Sequence, residues 1–279
     1  MTRPPFGRSS PARKAASKAS TGAAPRPAAP AAPRSTERPV QWDEATWLAA
    51  IPPVLDAVGL SLSPEQQGQL ARYMGLLSHW NATYNLTALR SAPDMLSHHL
   101  ADCLTVLRPL MTHLAGRLSD RSGDRSGDRL DAVAPPCKLL DVGSGGGLPG
   151  VVLAICCPGL HVSCVDTVGK KAAFIRQVAA ELRLPHLRGE HARVEQLSGQ
   201  YELITSRAFA SLHDFVALTR EQLAPGGVWM AMKGKLPDDE LAALPPDVGV
   251  FHVEHLQVPG LDAERCLIWM RLQPGQLTG

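Results

Sequence analysis

The residues best placed to do chemistry lie in one run, Lys138-Leu139-Leu140-Asp141-Val142-Gly143-Ser144-Gly145-Gly146-Gly147-Leu148-Pro149-Gly150, with a second acid, Asp166, further on. An apolar strand that passes straight into glycines makes a tight turn whose main chain can approach a ligand within contact distance. Pro149 and Gly150 then open a helix, where proline gives up no useful N–H. Free N–H groups and the positive dipole end at such a start favour an anionic group. Asp166 closes the next apolar run, His161-Val162-Ser163-Cys164-Val165. An acid at that strand end can accept from both hydroxyls of a ribose. Asp166 or Thr167 can equally cap the helix carrying Lys170 and Lys171. The chemistry implied is the grip of a nucleoside-bearing molecule at the rim of a parallel sheet.

Two cofactor classes fit the glycines. Gly145-x-Gly147-x-x-Gly150 satisfies the dinucleotide fingerprint. Asp141-x-Gly143-x-Gly145-x-Gly147 satisfies the form used for S-adenosylmethionine. The apolar strand ends at Val142, so the turn begins at Gly143 and Gly150 falls inside the helix. That geometry favours the methyl donor, and no hydride-transfer partner is evident. A module with a decayed site fits poorly with an intact loop and Asp166. Six cysteines without a CxxC pair and ten histidines without HExxH leave no expected metal site. Scattered thiols suit a reducing cytosol. No run approaches the ~18 apolar residues of a membrane span.

The acceptor should enter where the fourth strand, Tyr201-Glu202-Leu203-Ile204-Thr205, delivers Ser206-Arg207-Ala208-Phe209-Ala210. Enzymes acting on exocyclic adenine amines place an Asn/Asp-Pro-Pro-aromatic run here, and cytosine-C5 enzymes place a Pro-Cys. Neither is present, and Cys156-Cys157 falls at the far end of the first helix, as core residues would. An acceptor atom that is already nucleophilic, such as guanine N7, needs no general base. Catalysis then reduces to in-line positioning, which supplies up to ~7–11 kcal/mol in the best cases. Arg207 is the one residue given a positioning role. Its partner stays open among a cofactor carboxylate, an RNA phosphate and a structural acid, and the sequence does not identify the residue that stacks on the target base.

These residues need a scaffold of alternating elements. Strands are expected at 137–142, 161–165, 187–190, 201–205, 227–233, 249–257 and 265–272, with helices at 149–156, 169–183, 211–223 and 237–243. Such alternation makes a mostly parallel α/β sheet, and the last two strands, lacking a strong helix between them, make a hairpin with one antiparallel strand. Ahead of it, Ser63-Pro64-Glu65-Gln66 is a capped helix start, followed by Leu70, Tyr73, Met74, Leu77 and Trp80 as one apolar stripe. A second helix follows Pro93, with Met95, Leu96, Leu100, Cys103, Leu104 and Leu107 inward. Residues 1–40 lack Leu and Ile and carry eight basic residues and one acid, a +7 tail expected to be disordered. The other 239 residues sum to −5, so RNA binding would need a local basic patch. The domains expected are a tail at 1–40, a helical subdomain at 41–116, a flexible insertion at 117–136 around the Asp-Arg-Ser-Gly repeat, and a catalytic domain at 137–273.

Taken together, several segments resemble the ribosomal RNA small subunit methyltransferase G family over roughly residues 45–272. They are Trp80-Asn81 with Tyr84-Asn85-Leu86-Thr87, His99 to Asp102, the Asp141–Gly150 loop, and Val165-Asp166 with Lys170–Phe174. Arg193-Val194-Glu195, Ser206 to Ser211, Lys233-Gly234-Lys235 and Leu261 to Arg265 complete the set. The resemblance implies a Rossmann-like class I S-adenosylmethionine-dependent methyltransferase with a seven-stranded, mostly parallel sheet and an N-terminal helical extension. It implies N7 methylation of guanosine 527 of 16S rRNA in the cytoplasm, on the RNA, the small subunit or an assembly intermediate; a monomer is expected, though the sequence does not fix the oligomeric state. Carried over residue by residue, cofactor contacts would fall to Gly143, Leu148, Val194, Glu195 and Arg207, beside the Gly145, Gly147 and Asp166 already read from the loop and the strand end. Val194-Glu195 would read the adenine edge, and the family pattern turns Arg207 to the cofactor end. Lys170, Lys171, Arg176, Lys233 and Lys235 are the candidate RNA-binding residues.

Overall fold

A computed structural model of the chain describes residues 42–122, 137–207, 209 and 211–273. The 1–40 tail and most of the 119–129 repeat lie outside the described residues. The strands are β1 Cys137–Val142, β2 Leu160–Asp166, β3 Leu187–His191, β4 Tyr201–Arg207, β5 Leu223–Lys233, β6 Val248–Leu256 and β7 Arg265–Leu272. They form one sheet in the order β3-β2-β1-β4-β5-β7-β6. β7 runs antiparallel to its neighbours β5 and β6, and the other pairs are parallel. This is the expected Rossmann-like sheet, with its one antiparallel strand supplied by the terminal hairpin. β1 and β4 are central and covered on both faces, which is why they read as continuous apolar runs rather than alternating ones. The order reverses between β1 and β4, so the connections leaving these two strands part and open a crevice at their carboxyl ends.

Among the described residues, four α-helices follow strands: α6 Gly150–Cys156, α7 Gly169–Glu181, α8 Leu212–Thr219 and α9 Asp238–Ala242. Before the sheet come α1 Glu44–Val58 and α2 Pro64–Tyr84. α2 starts with the expected capping box: Gln66 N donates to Ser63 Oγ, and Ser63 N donates to Gln66 Oε1. Gln66 Nε2 also donates to the carbonyls of Ile155 and Cys156, the open end of α6, each at 3.1 Å. One residue thus starts α2 and ties it to the helix after the glycine loop. The α2 stripe joins Trp47, Leu104, Val151 and Phe174 in one buried cluster under the first face of the sheet. Ile204, Phe215, Trp229 and Ile268 form the cluster on the other face.

The helical run after Pro93 differs from expectation. It comprises α3 Ala92–Met95, a π-helical turn Leu96–Ala101, α4 Asp102–Thr105 and α5 Leu107–Ser122. A π turn holds an extra residue and re-aims side chains, and it leaves the apolar spacing near enough to helical to pass unnoticed. α5 also runs past residue 116 to Ser122, into the stretch expected as a flexible insertion. Arg117 holds it there by donating to Glu202 O on β4.

Candidate active site

The loop after β1 is organised by its own main chain. Gly143 N and Ser144 N donate to Val165 O on β2, and Gly147 N and Leu148 N donate back to Ser144 O. Gly147 has φ of +87°, and a Cβ there would lie 2.3 Å from Val151 Cγ2. A Cβ on Gly150 would lie 2.4 Å from Cys164 Sγ, so this glycine is required by helix–strand contact. Asp141 Oδ2 accepts from Gly150 N at 2.9 Å, capping α6 from the strand below. Its other oxygen is buried with no hydrogen-bond partner. Burial pushes Asp141 up to about 7, with Asp166 adding to the rise and Gly150 N–H and the Arg207 charge opposing it.

Asp166 braces the loop from the end of β2. Its Oδ2 accepts from Gly145 N at 3.1 Å, and its Oδ1 from Val168 N at 2.8 Å. Lys171 Nζ stands 3.4 Å from Oδ2. A carboxylate has about four acceptor positions, so two backbone bonds leave room for a ligand hydroxyl. The helical extension presses on the loop from behind: Tyr73 Oη donates to Gly146 O at 2.7 Å. The Leu86 carbonyl lies 3.6 Å from where a Gly145 Cβ would sit.

The rim at the end of β4 is organised by side chains. Asp102 is 3% exposed and accepts from two guanidinium groups, Arg207 Nη1 at 3.3 Å and Arg265 Nε at 3.1 Å. Arg207 Nη1 also donates to His98 O at 2.9 Å, and its Nη2 stands 3.2 Å from His99 Nδ1. Nδ1 therefore faces both a donor, the guanidinium, and an acceptor, His98 O at 3.1 Å. Nε2 meets Thr87 Oγ1 at 2.6 Å. Burial first, and the Arg207 charge second, lower His99 to about 4, so the ring is neutral near pH 7. Thr87 N donates to Asn81 Oδ1, and Asn81 Nδ2 to Leu89 O. Two guanidinium groups share one carboxylate here, which leaves surplus positive charge at the rim.

Gly143, Gly145, Gly147, Leu148 and Asp166 therefore come together in one loop-and-acid unit. Val194 and Glu195 lie on a 3-10 turn after β3, Val194 buried and Glu195 exposed. Of the three partners left open for Arg207, the described structure engages the structural acid, Asp102. The five basic candidates separate. Lys171 pairs with Asp166, Arg176 donates to Gly189 O, and Lys233 pairs with Glu240 at 2.8 Å. Lys170, above the Tyr84 ring at 4.9 Å, and Lys235 are exposed. Sequence reasoning placed Tyr73 in an apolar stripe and His99, Asp102 and Arg265 in segments of the resemblance, and gave none of them a role in the site. The available signal was an acid, Asp102, set within the apolar run Leu100 to Leu107, where an unpaired charge would be costly. Among the described residues no group of three or more His, Cys, Asp and Glu could hold a metal, and no helix is long and apolar enough to cross a membrane.

The sequence profile described as rRNA small subunit methyltransferase G matches residues 66–116 and 130–268. The protein called Ribosomal RNA small subunit methyltransferase G in Paracidovorax citrulli (strain AAC00-1) is 56% identical over 224 residues, covering 80% of this chain and 89% of its own length. Its namesake in Acidovorax sp. (strain JS42) is 57% identical over 216 residues, covering 77% and 91%. Among solved structures, that of TrmN from Thermus thermophilus has a TM-score of 0.40 at 20% identity, covering 57% of this chain and 48% of its own.

Proposed function

The chain belongs to the rRNA small subunit methyltransferase G family, and from that premise we propose that it methylates N7 of guanosine 527 in 16S rRNA. S-adenosylmethionine supplies, when bound, a sulfonium methyl open to direct attack. The observation that carries the reading is the bond from Gly145 N to Asp166 Oδ2, which joins the glycine turn and the strand-2 acid into one cradle beside the crevice. The chemistry of the cradle suits the donor. Asp166 retains acceptor capacity for ribose hydroxyls, and the glycines admit close approach of the main chain. The unpartnered oxygen of Asp141 suits an ammonium group. The surplus charge of Arg207 and Arg265 suits a carboxylate, and the turn at Val194-Glu195 suits the edge of an adenine.

N7 of guanine holds an in-plane lone pair, so the protein need not remove a proton. The site agrees with that requirement: both His99 nitrogens at the rim are engaged, and Asp141 in the turn is buried against Gly150 N–H. What remains for the chain is to hold the acceptor in line and exclude water. RNA contact then rests first on Lys170 and Lys235, with Lys171, Arg176 and Lys233 tied into the fold. We assign the working form as a monomer in the cytoplasm. Incubation with 30S particles and isotopically labelled donor, followed by mapping of the labelled nucleotide, tests the reading. Label at N7 of one 16S guanosine is expected; label confined to another RNA, a protein or a small molecule overturns it.

A further inference from the structure

We propose that Phe209 is the residue against which the acceptor guanine stacks, an inference that rests on the guanine-N7 reading above. Phe209 stands two residues beyond β4, on the opposite lip of the crevice from the β1 loop. Its ring reaches across the divide: Cδ2 lies 3.9 Å from the point a Cβ on Gly143 would occupy. The ring is only partly buried. Its inner side packs on Phe215, with centroids 5.7 Å apart at 52°. The main chain beneath is held as well. Lys233 Nζ stands 3.4 Å from Phe209 O and is fixed by both carboxylate oxygens of Glu240. Glu240 in turn accepts from Leu212 N, the first residue of α8. An aromatic ring is thus fixed where the switch point of the sheet places ligands. Among the described residues, the half-exposed aromatics elsewhere are Tyr84, which lies beneath Lys170, and Phe251 on β6, the edge strand.

The reaction gives this ring a role in rate as well as in binding. The N7 lone pair forms the new bond to carbon while the carbon–sulfur bond breaks and leaves its electron pair on sulfur. No proton moves, and the base ends with a delocalised positive charge. An aromatic face attracts a cation more strongly than a neutral ring, so the contact strengthens as the methyl passes over.

The test is a series at one position, Phe209→Tyr, Phe209→Leu and Phe209→Ala. Each is measured for S-adenosylhomocysteine affinity, thermal midpoint, 30S affinity and single-turnover methylation. Phe209→Tyr should keep the rate. Phe209→Ala should lose about ten- to a hundred-fold in methylation, the range of one base–aromatic stack. Phe209→Leu should fall between them, with S-adenosylhomocysteine affinity and thermal midpoint near wild type. Wild-type rates in Phe209→Ala, full activity in Phe209→Leu, or a matching loss of S-adenosylhomocysteine affinity would overturn the assignment. A wild-type protein that modifies no guanine N7 would instead remove the reading beneath it.

Discussion

The turn between β1 and α6 and the rim at the end of β4 face the same crevice and are built from different materials. In the turn, the bonds run to main chain: Gly143, Ser144, Gly147 and Leu148 donate to carbonyls, and Asp141 and Asp166 accept from backbone N–H groups. In the rim, Asn81, Thr87, His99, Asp102, Arg207 and Arg265 bond through side chains drawn from three distant parts of the chain. The turn is therefore specified by space and backbone angle, through Gly146, Gly147 and Gly150, where a Cβ would collide, and through Gly143 and Gly145, held at positive φ. The rim is specified by charge, through one buried carboxylate with two cations. Damage should accordingly show as crowding in the first and as uncompensated charge in the second.

Asp102→Ala is the hardest test of that contrast. It leaves Arg207 and Arg265 at the buried rim without their carboxylate, and a buried pair broken from one side costs about 3–5 kcal/mol. Urea denaturation that finds less than 1 kcal/mol would make the network ornamental. Next is a pH effect confined to titrating side chains. As pH falls from 6.5 toward 4, unfolded chains protonate at His99 and folded ones do not, so His99 removes stability, up to about 3 kcal/mol. Asp141 acts oppositely: its folded carboxyl takes up a proton near pH 7 and its unfolded one near 3.8, so it adds stability as pH falls through that window. Relative to wild type, His99→Gln should gain stability toward pH 5 and Asp141→Asn should lose it. Melting curves at pH 7.5 and 5 that move together for the two variants would refute the assignment. Gly147→Ala forces a Cβ into Val151 at positive φ and should cost about 1–3 kcal/mol, independent of pH. Lys170→Ala is the smallest: thermal stability should change by less than about 0.5 kcal/mol, while 30S binding becomes less salt-sensitive. An unchanged salt slope would remove Lys170 from the RNA face.

The same contrast explains what the sequence made legible. Gly143 to Gly150 are contiguous, and a strand followed by glycines admits few geometries, so the turn and the braced Asp166 could be placed from spacing alone. The strands followed for the same reason, and the capping box at Ser63 was visible because its partner lies three residues away. Asp102 and Arg265 are 163 residues apart in the chain, and no local pattern announces their meeting. Nor does periodicity separate the π turn at Leu96–Ala101 from ordinary helix, although that turn carries His98 and His99 to Arg207. Lys171 and Lys233 read as a basic surface because their acids, Asp166 and Glu240, become neighbours only after folding.

β7 enters the sheet between β5 and β6 and begins at Arg265. Without that strand, β6 has no strand to lie against and Asp102 lacks one of its two cations. Chains cut short before Arg265 should therefore be incompetent for methyl transfer even though the whole glycine loop is present.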